Sequence, residues 1–470
     1  MTRQCIWTTG LALRVALGIG LPIPGIAIAS PVSEPVPLTA EEALRQLDAQ
    51  NLTLAQARSR AQEAKGVVRQ AMAAFLPALV AGGSYTRNSD SATLSLHPLL
   101  DSIEGGLNRI SPTPVRLDRT NVPDQTVIQP LEAFTGQASV RVPLFAANAY
   151  SDWQATKEAA SAAEASIEVV RLQLRAALIQ SASWSGAAEE IAAASERALA
   201  IALEHEKSAA RNVEAGVAAP LSHLQARTEV VRRENDVVRT RADKERAWLA
   251  LGVLLGKADP VRVVLPADEA LPSASAAAAG AGDVDSLTRL ALEARPELRV
   301  QQASMKAAER QLDSAWWRHA PQLSASFAAF ASNVVYPTGD KAGWRASVDL
   351  AWTLYDGGFR YGKRAQAAAQ IVTAQAAWEA QRIEISQQVK DSARDVDVAS
   401  ERLRLAKRQR ELAQEVFGTA KRSFEAGLAS SLDVLDANDR LYQADVGLAD
   451  ARARLGMART ALARATGSLL

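Results

Sequence analysis

The chain carries one stretch of sequence twice. Val213 to Thr228 reads VEAGVAAPLSHLQART and Phe424 to Asp439 reads FEAGLASSLDVLDAND, which lays Glu214, Gly216, Leu221 and Leu224 over Glu425, Gly427, Leu432 and Leu435 at an offset of 211 (427 minus 216). The correspondence runs back towards the N-terminus. Leu144-Phe145 lies over Leu354-Tyr355, an offset of 210, and Pro77-Ala78-Leu79 over Pro321-Gln322-Leu323, an offset of 244. The difference, 244 minus 210, places a 34-residue insertion in the first copy, between roughly Asn88 and Gly136. A period this long marks an architecture assembled from two copies of one unit.

The address is legible at the start. Arg3 is followed by a mostly apolar run to Ile28, and Ala27-Ile28-Ala29 supplies small residues for cleavage, so residues 1–29 read as a secretory leader. Removing it takes two cations, Arg3 and Arg14, and turns the net charge from +1 to −1. A near-neutral exported chain without a basic block does not bind nucleic acid. Cys5, the sole cysteine, leaves with the leader, so the mature chain is expected to hold no disulfide and no lipidated cysteine. No other stretch approaches the 18 apolar residues of a spanning helix, and a crossing of the membrane would have to be made by strands.

The rest of each copy reads helix, strand, strand, long helix, tip, return helix. Ala155 to Ala215 and Gly362 to Ala426 are free of proline over 61 and 65 residues, rods of about 90–100 Å. In the last helix Val434, Leu441, Leu448, Leu455 and Leu462 recur every seven residues, each followed three places on by Ala437, Ala444, Ala451, Ala458 and Ala465. Leu at one seam position and Ala at the other describes a narrow coiled-coil stripe. The preceding helix has a weaker seam, Val389, Val396, Leu403 and Phe417, interrupted by Arg410. The last helix (Leu432 to Gly467) and the helix leading to the first strand (Glu41 to Phe75) have 36 and 35 residues, which allows half-length helices stacked end to end to partner each rod.

The strands alternate. Trp344, Ala346, Val348, Leu350, Trp352 and Leu354 interleave with Arg345, Ser347, Asp349, Ala351 and Thr353; Leu323, Ala325, Phe327 and Ala329 with Gln322, Ser324 and Ser326; Val140, Val142 and Leu144 with Ser139 and Arg141. Pro77 to Thr86 puts Leu79, Ala81 and Tyr85 on one face. Segments of about ten residues, apolar on one side, have the length and pattern of outer-membrane barrel strands. Four cannot close a barrel, since about eight is the minimum, and open edges cannot face lipid. Either the strands form a soluble sheet or several chains pool them; three chains give twelve.

No catalytic constellation is present. His97, His205, His223 and His319 are scattered, without ligand spacing, and Gly357-Gly358 reads as a strand-to-helix turn rather than a phosphate loop. No enzyme activity, cofactor or metal is expected.

In this combination of features the chain resembles the TolC-type outer membrane factors, the outer membrane efflux protein family. The resemblance covers essentially the whole mature chain. It is carried by Phe424 to Ala451 (FEAGLASSLDVLDANDRLYQADVGLADA), by Trp352 to Gly358 (WTLYDGG) and by Arg295-Pro296-Glu297-Leu298. It implies a mixed α+β membrane protein: a trimeric 12-stranded β-barrel, four strands per chain, continuous with a long periplasmic α-helical coiled-coil barrel, built from two internal structural repeats. The implied function is a passive exit duct of a tripartite efflux pump or type I secretion system. Its implied partners are a homotrimer, outer membrane lipid, a periplasmic adaptor (membrane fusion) protein and, through it, an inner-membrane RND or ABC transporter. A periplasmic coiled-coil adaptor is the alternative; it carries one hairpin in a lipoyl-like domain, against two hairpins and no such domain here.

The corresponding map has a leader at 1–29 and a first repeat at 30–256, with strands near 77–88 and 136–145 and a helical hairpin 149–256 whose tip is near 213–222. A linker at 257–282 leads to a second repeat at 283–470, with strands near 321–332 and 343–355 and a hairpin 359–467 whose tip is near 424–433. The insertion around Asn88 to Gly136 separates two strands of one hairpin and is expected outside the cell. By resemblance Asp433 and Asp436 line the periplasmic mouth, six carboxylates in a trimer, with Ser222 at the acidic position of the first tip; capping of the helix start accounts for the same aspartates. Gly216, Leu221, Phe424, Gly427 and Leu432 form the tips that dock the adaptor. Ala429 stands where relatives hold a basic latch residue and Phe424 where they hold tyrosine, so the latch of those relatives is mostly missing.

Overall fold

The computed structural model describes residues 35, 37–120, 125–265, 284–335 and 340–469. The expected leader and residues 266–283 of the expected linker lie outside them, and everything below concerns the unit from Pro37 onwards. Strand β1 (Pro37–Thr39) enters helix α1 (Ala40–Gln50), capped by the Thr39 hydroxyl on Glu42 N at 3.3 Å. Asn51 ends α1 and caps α2 (Leu52–Ala73), its Oδ1 accepting from Leu54 N at 3.0 Å. The single helix expected over Glu41 to Phe75 is therefore two, because a buried asparagine satisfies the free N–H groups of a new start more strongly than it continues a helix.

Next come β2 (Ala78–Arg87), β3 (Ala92–Leu94), helix α3 (His97–Ile110), β4 (Thr126–Gln129), β5 (Glu132–Phe145), the 68-residue α4 (Ala147–Glu214), α5 (Pro220–Leu254) and β6 (Arg262–Val264). The second half holds α6 (Val284–Ala294), α7 (Pro296–Trp317), β7 (Gln322–Ser332), β8 (Ala342–Ala351), the 67-residue α8 (Phe359–Glu425) and α9 (Ser431–Ala465). The insertion is a built element: β3 and β4 pair antiparallel, and Asp101 and Glu104 of α3 bind Arg119. The start of the expected linker is also structured, since β6 pairs in parallel with β1 and buries Val261 and Val263 against Ala43, Leu47, Leu178 and Leu251.

Between them the two long helices run past every other helix but α3. Beside the tips the packing order is α5, α4, α9, α8; beside the sheet it is α2, α4, α7, α8. The half-length helices do stack end to end, but α9 meets α7 and α5 meets α2, rather than α9 meeting the helix of Glu41 to Phe75. Asn51 Nδ2 donates to Leu254 O at 2.8 Å across one junction, and Arg295 Nη1 to Ala465 O at 3.3 Å across the other. Arg295 also fixes the start of α7 through two hydrogen bonds to Glu297 (2.9 and 2.6 Å) and reaches Gln388 on α8 at 2.9 Å.

The seam of α9 is occupied as its heptad demands. Ala451 and Leu455 bury against Ala399 and Leu403 of α8. Arg410 does not break the α8 seam: it turns its guanidinium to Asp445 of α9 at 3.1 Å, and Asp445 also takes Arg197 of α4 at 3.1 Å. A second seven-residue row on α9, Tyr442, Ala449, Gly456 and Ala463, faces α4. There the helices approach so closely that a Cβ at Gly456 would lie 2.9 Å from Ser183 Oγ. No helix among the described residues is long and apolar enough to cross a membrane.

Candidate functional site: a two-faced sheet and twin helical tips

The four longer strands form one antiparallel sheet in the order β2, β5, β7, β8. Their registers make one face mainly apolar and the other mainly polar or small. Leu79 aligns with Val140, Phe327 and Ala346, Ala81 with Ala138, Ala329 and Trp344, and Val142 with Ala325 and Val348. These side chains share one face, and Leu79, Phe327, Trp344, Val348 and Leu350 are all exposed on it. The opposite face carries Ser84 bonded to Thr135 (2.6 Å), Ser326 bonded to Ser347 (2.7 Å), and Arg141, Arg345 and Asp349. Alternation with one wet and one apolar face is the pattern of a barrel strand.

Aromatic side chains bound the apolar face at both ends. Tyr85 and Phe134, paired in register, sit at 4.8 Å between ring centroids beside the insertion. At the junction with the helices Phe75, Tyr150 and Trp153 form edge contacts of 5.6–6.3 Å, and Trp316, Trp352, Tyr355 and Phe359 stand exposed. Phe134 and Leu144 are ten residues apart on β5, about 34 Å along the strand and about 26 Å along the normal of a barrel tilted by about 40°. That height matches an outer-membrane apolar band of about 25 Å, and the aromatics stand where interfacial girdles belong.

Both tips are closed by the same hydrogen bonds. Gly216 has φ +71° and donates to Val213 O at 3.0 Å, while Val217 N donates to Asn212 O at 3.0 Å. Gly427 has φ +73° and donates to Phe424 O at 3.0 Å, while Leu428 N donates to Ser423 O at 2.8 Å. This is the Schellman arrangement, and the left-handed conformation it needs is open to glycine without a Cβ penalty. The apolar residues it leaves outermost, Val217 and Leu428, are 78% and 85% exposed, and Leu221 and Leu432 beside them are also exposed.

Asp433 belongs to a capping box: its Oδ2 accepts from Ser430 N at 2.8 Å and Ser430 Oγ at 2.7 Å, and its own N–H donates back to Ser430 Oγ. The hydrogen bond from the Ser430 side chain, then that from its backbone, holds the Asp433 carboxyl below the usual carboxylate range. Asp436 pairs with Arg440 at 2.8 Å on the exposed side of α9. Ser222 Oγ bonds to Ala219 O at 2.7 Å at the start of α5. Phe424 is half-buried and stacks at 4.9 Å on His205 of α4, whose Nε2 makes a 2.7 Å hydrogen bond with Ser431. Burial pushes the His205 pKa down.

Sequence reasoning missed the polar clamp between the hairpins. Arg233, fully buried on α5, contacts Glu229 (2.7 Å), Asp236 (3.3 Å) and Asp439 of α9 (2.6 Å), with its guanidinium 4.8 Å from the Tyr442 ring. Arg232 adds a second contact to Asp439. Glu229 and Asp236, four before and three after Arg233, were the visible signal.

The family model "Outer membrane efflux protein" matches residues 43–257 and 287–468, and the chain belongs to that family. No curated protein sequence matches it. Among solved structures it is similar to a membrane protein from Pseudomonas aeruginosa (TM-score 0.73, 18% identity, covering 91% of this chain and 93% of that one). It is likewise similar to the outer membrane protein VceC from Vibrio cholerae (0.70, 17%, 91% and 96%) and to the Campylobacter jejuni CmeC outer membrane channel (0.72, 15%, 91% and 85%). At these identities the likeness is one of fold. The last of these proteins is an outer membrane channel, and this protein is an outer membrane efflux protein with a β domain and a helical coiled-coil domain.

Proposed function

We propose that three copies, each built from two repeats of one unit, close into a twelve-stranded barrel and a continuous helical tunnel. The assembly is a passive exit duct for an efflux pump or type I secretion system. The observation that carries this reading is that both layers of the chain end in matching free edges. In the sheet, β2 and β8 each have one neighbour among the described residues, and an edge left open is not tolerated by lipid. In the helical layer the outer helices carry unpartnered heptads: Leu224, Val231 and Val238 on α5, each at least 60% exposed, and Val398, Leu405 and Leu412 on α8, 46–53% exposed. Apolar rows at seven-residue spacing on opposite edges suit α8 of one copy against α5 of the next.

In this reading the leader is cleaved near Ser30, the β3–α3–β4 insertion faces outwards and the tips face an adaptor linked to an RND or ABC transporter. Gly216, Leu221, Phe424, Gly427 and Leu432 shape the docking surface, while Asp433, Asp436 and Ser222 lie at the mouth. A photo-crosslinking residue at Leu428 should capture a periplasmic adaptor, and protease added to intact cells should cut at Arg116, which lies in exposed extended chain. Fractionation of the protein with soluble periplasmic contents would contradict the duct.

A further inference from the structure

We infer that the barrel carries a basic ring which makes this segment of the duct select for anionic solutes. The inference rests on the closed twelve-stranded reading above. Its basis is the distribution of charge over the sheet. On the polar face of the four strands the only charged side chains among the described residues are Arg141, Arg345 and Asp349. The apolar face holds just Arg87 and Glu132, at its far end, and these pair with each other at 3.5 Å.

Arg141 and Arg345 are exposed and have no hydrogen-bond or ion-pair partner among the described residues. Asp349 accepts from Ser347 Oγ at 3.0 Å and has no cation beside it. The polar face therefore bears two cations and one anion per chain, and six against three in a trimer, a net +3. Exposed arginines without a partner are not tolerated against lipid, so their face is the aqueous one.

Register places the cations evenly. Arg141 aligns through Ser326 with Ser347, and Arg345 through Ala328 with Ser139. The two arginines are therefore one alternate residue apart along the strands, about 7 Å, and two strands apart across them, about 10 Å. If β8 of one copy lies beside β2 of the next, the step from Arg345 to the next Arg141 is again two strands. Six guanidiniums then stand on every second strand around the lumen. Their spacing is about the Debye length of 10 Å at 0.1 M salt; Asp349 lies as far from Arg141 as Arg345 does, and the excess of six cations over three anions leaves the collar net positive. At the tips, by contrast, Asp436 is offset by Arg440. Permeants favoured by the collar are small inorganic anions and carboxylate- or sulfonate-bearing organic anions.

The test uses purified full-length trimers in planar bilayers, with reversal potentials read in a KCl gradient. Arg141→Gln/Arg345→Gln should lower the chloride-to-potassium permeability ratio severalfold, more at 0.1 M than at 1 M, where the screening length falls to about 3 Å. Arg141→Lys/Arg345→Lys should keep the ratio of the unaltered protein. A cysteine at Ser347 should react with a charged water-soluble thiol reagent and change the conductance, while one at Val348 should not. An unchanged ratio in conducting Gln trimers, or reaction at Val348 rather than Ser347, would overturn the inference while leaving the duct intact. Failure of the unaltered protein to form trimers or conducting pores would instead remove the reading on which it rests.

Discussion

Arg295 and Asn51 do the same work at corresponding places. They are 244 residues apart (295 minus 51), and the carbonyls they bind, Ala465 and Leu254, are 211 apart (465 minus 254). Both are among the offsets at which the sequence matches itself, 244 before the insertion and 211 at the tips. Each side chain joins the end of a return helix to the start of a helix leading to the sheet, one as a neutral amide and the other as a cation paired with Glu297.

The difference in chemistry predicts a difference in cost. Arg295→Ala strands the nearly buried Glu297 carboxylate, and breaking such a pair costs about 3–5 kcal/mol. Asn51→Ala removes a cap and one interhelical hydrogen bond, about 1–2 kcal/mol. Thermal dissociation in detergent should therefore fall much further for Arg295→Ala than for Asn51→Ala. Equal shifts would mean that Glu297 finds another partner.

Four glycines separate strain from crowding. Gly216, Gly427, Gly256 and Gly467 all have φ between +71° and +77°, so alanine at any of them costs about 1–2 kcal/mol in backbone strain. At Gly216 and Gly427 an added Cβ meets nothing within 4 Å, whereas at Gly256 it would lie 2.8 Å from Gln50 O. Gly256→Ala should depress the dissociation temperature more than Gly216→Ala, and the reverse order would refute the crowding.

The tips should loosen in acid. His205 is buried between Phe424 and Ser431 and its pKa lies below the ordinary 6.5. Below 6.5 the unfolded tip binds a proton that the folded tip refuses, so the stability held at neutral pH declines as pH falls through that window. Protection factors at residues 424–434, corrected for the intrinsic pH dependence of amide exchange, should fall between pH 7.5 and pH 5.5, and His205→Gln should flatten the response. The Asp433 carboxyl is lowered, so its contribution is lost only under stronger acid, below the ordinary 3.8.

Replacing both Asp433 and Asp436 with Ala should reduce cation preference and block by trivalent cations if they line the mouth. A change confined to the thermal stability of α9, with ion selectivity intact, would leave Asp433 as the cap that its bonds to Ser430 describe.

Features repeated at short period were legible in the sequence; features made by contacts distant in sequence were not. The α9 heptad, the alternation in β7 and the Gly216 and Gly427 tips follow from local spacing and stand where it puts them; the alternation of β8 does so only to Ala351, and Trp352 and Leu354, expected to continue it, lie beyond the strand. The β1–β6 ladder spans three residues on each side, too few for a period, and joins positions 37 and 262. Asn51 looks like any polar residue inside a helix until Leu254 is placed opposite it. Arg410 reads as a flaw in a seam because its partner, Asp445, is on another helix. The second row of α9, Tyr442 to Ala463, was present at seven-residue spacing, but the leucine and alanine row beside it dominates the pattern.

The central claim is that the free edges of sheet and helices are closed by two further copies of the chain. The direct measurement is the protein mass of the complex extracted from outer membranes in mild detergent, by light scattering corrected for bound detergent or by native mass spectrometry. Three chain masses are predicted, with dissociation under Val231→Asp on α5 or Leu405→Asp on α8. A stable, membrane-extracted monomer, with β2 and β8 unpaired, would contradict the account.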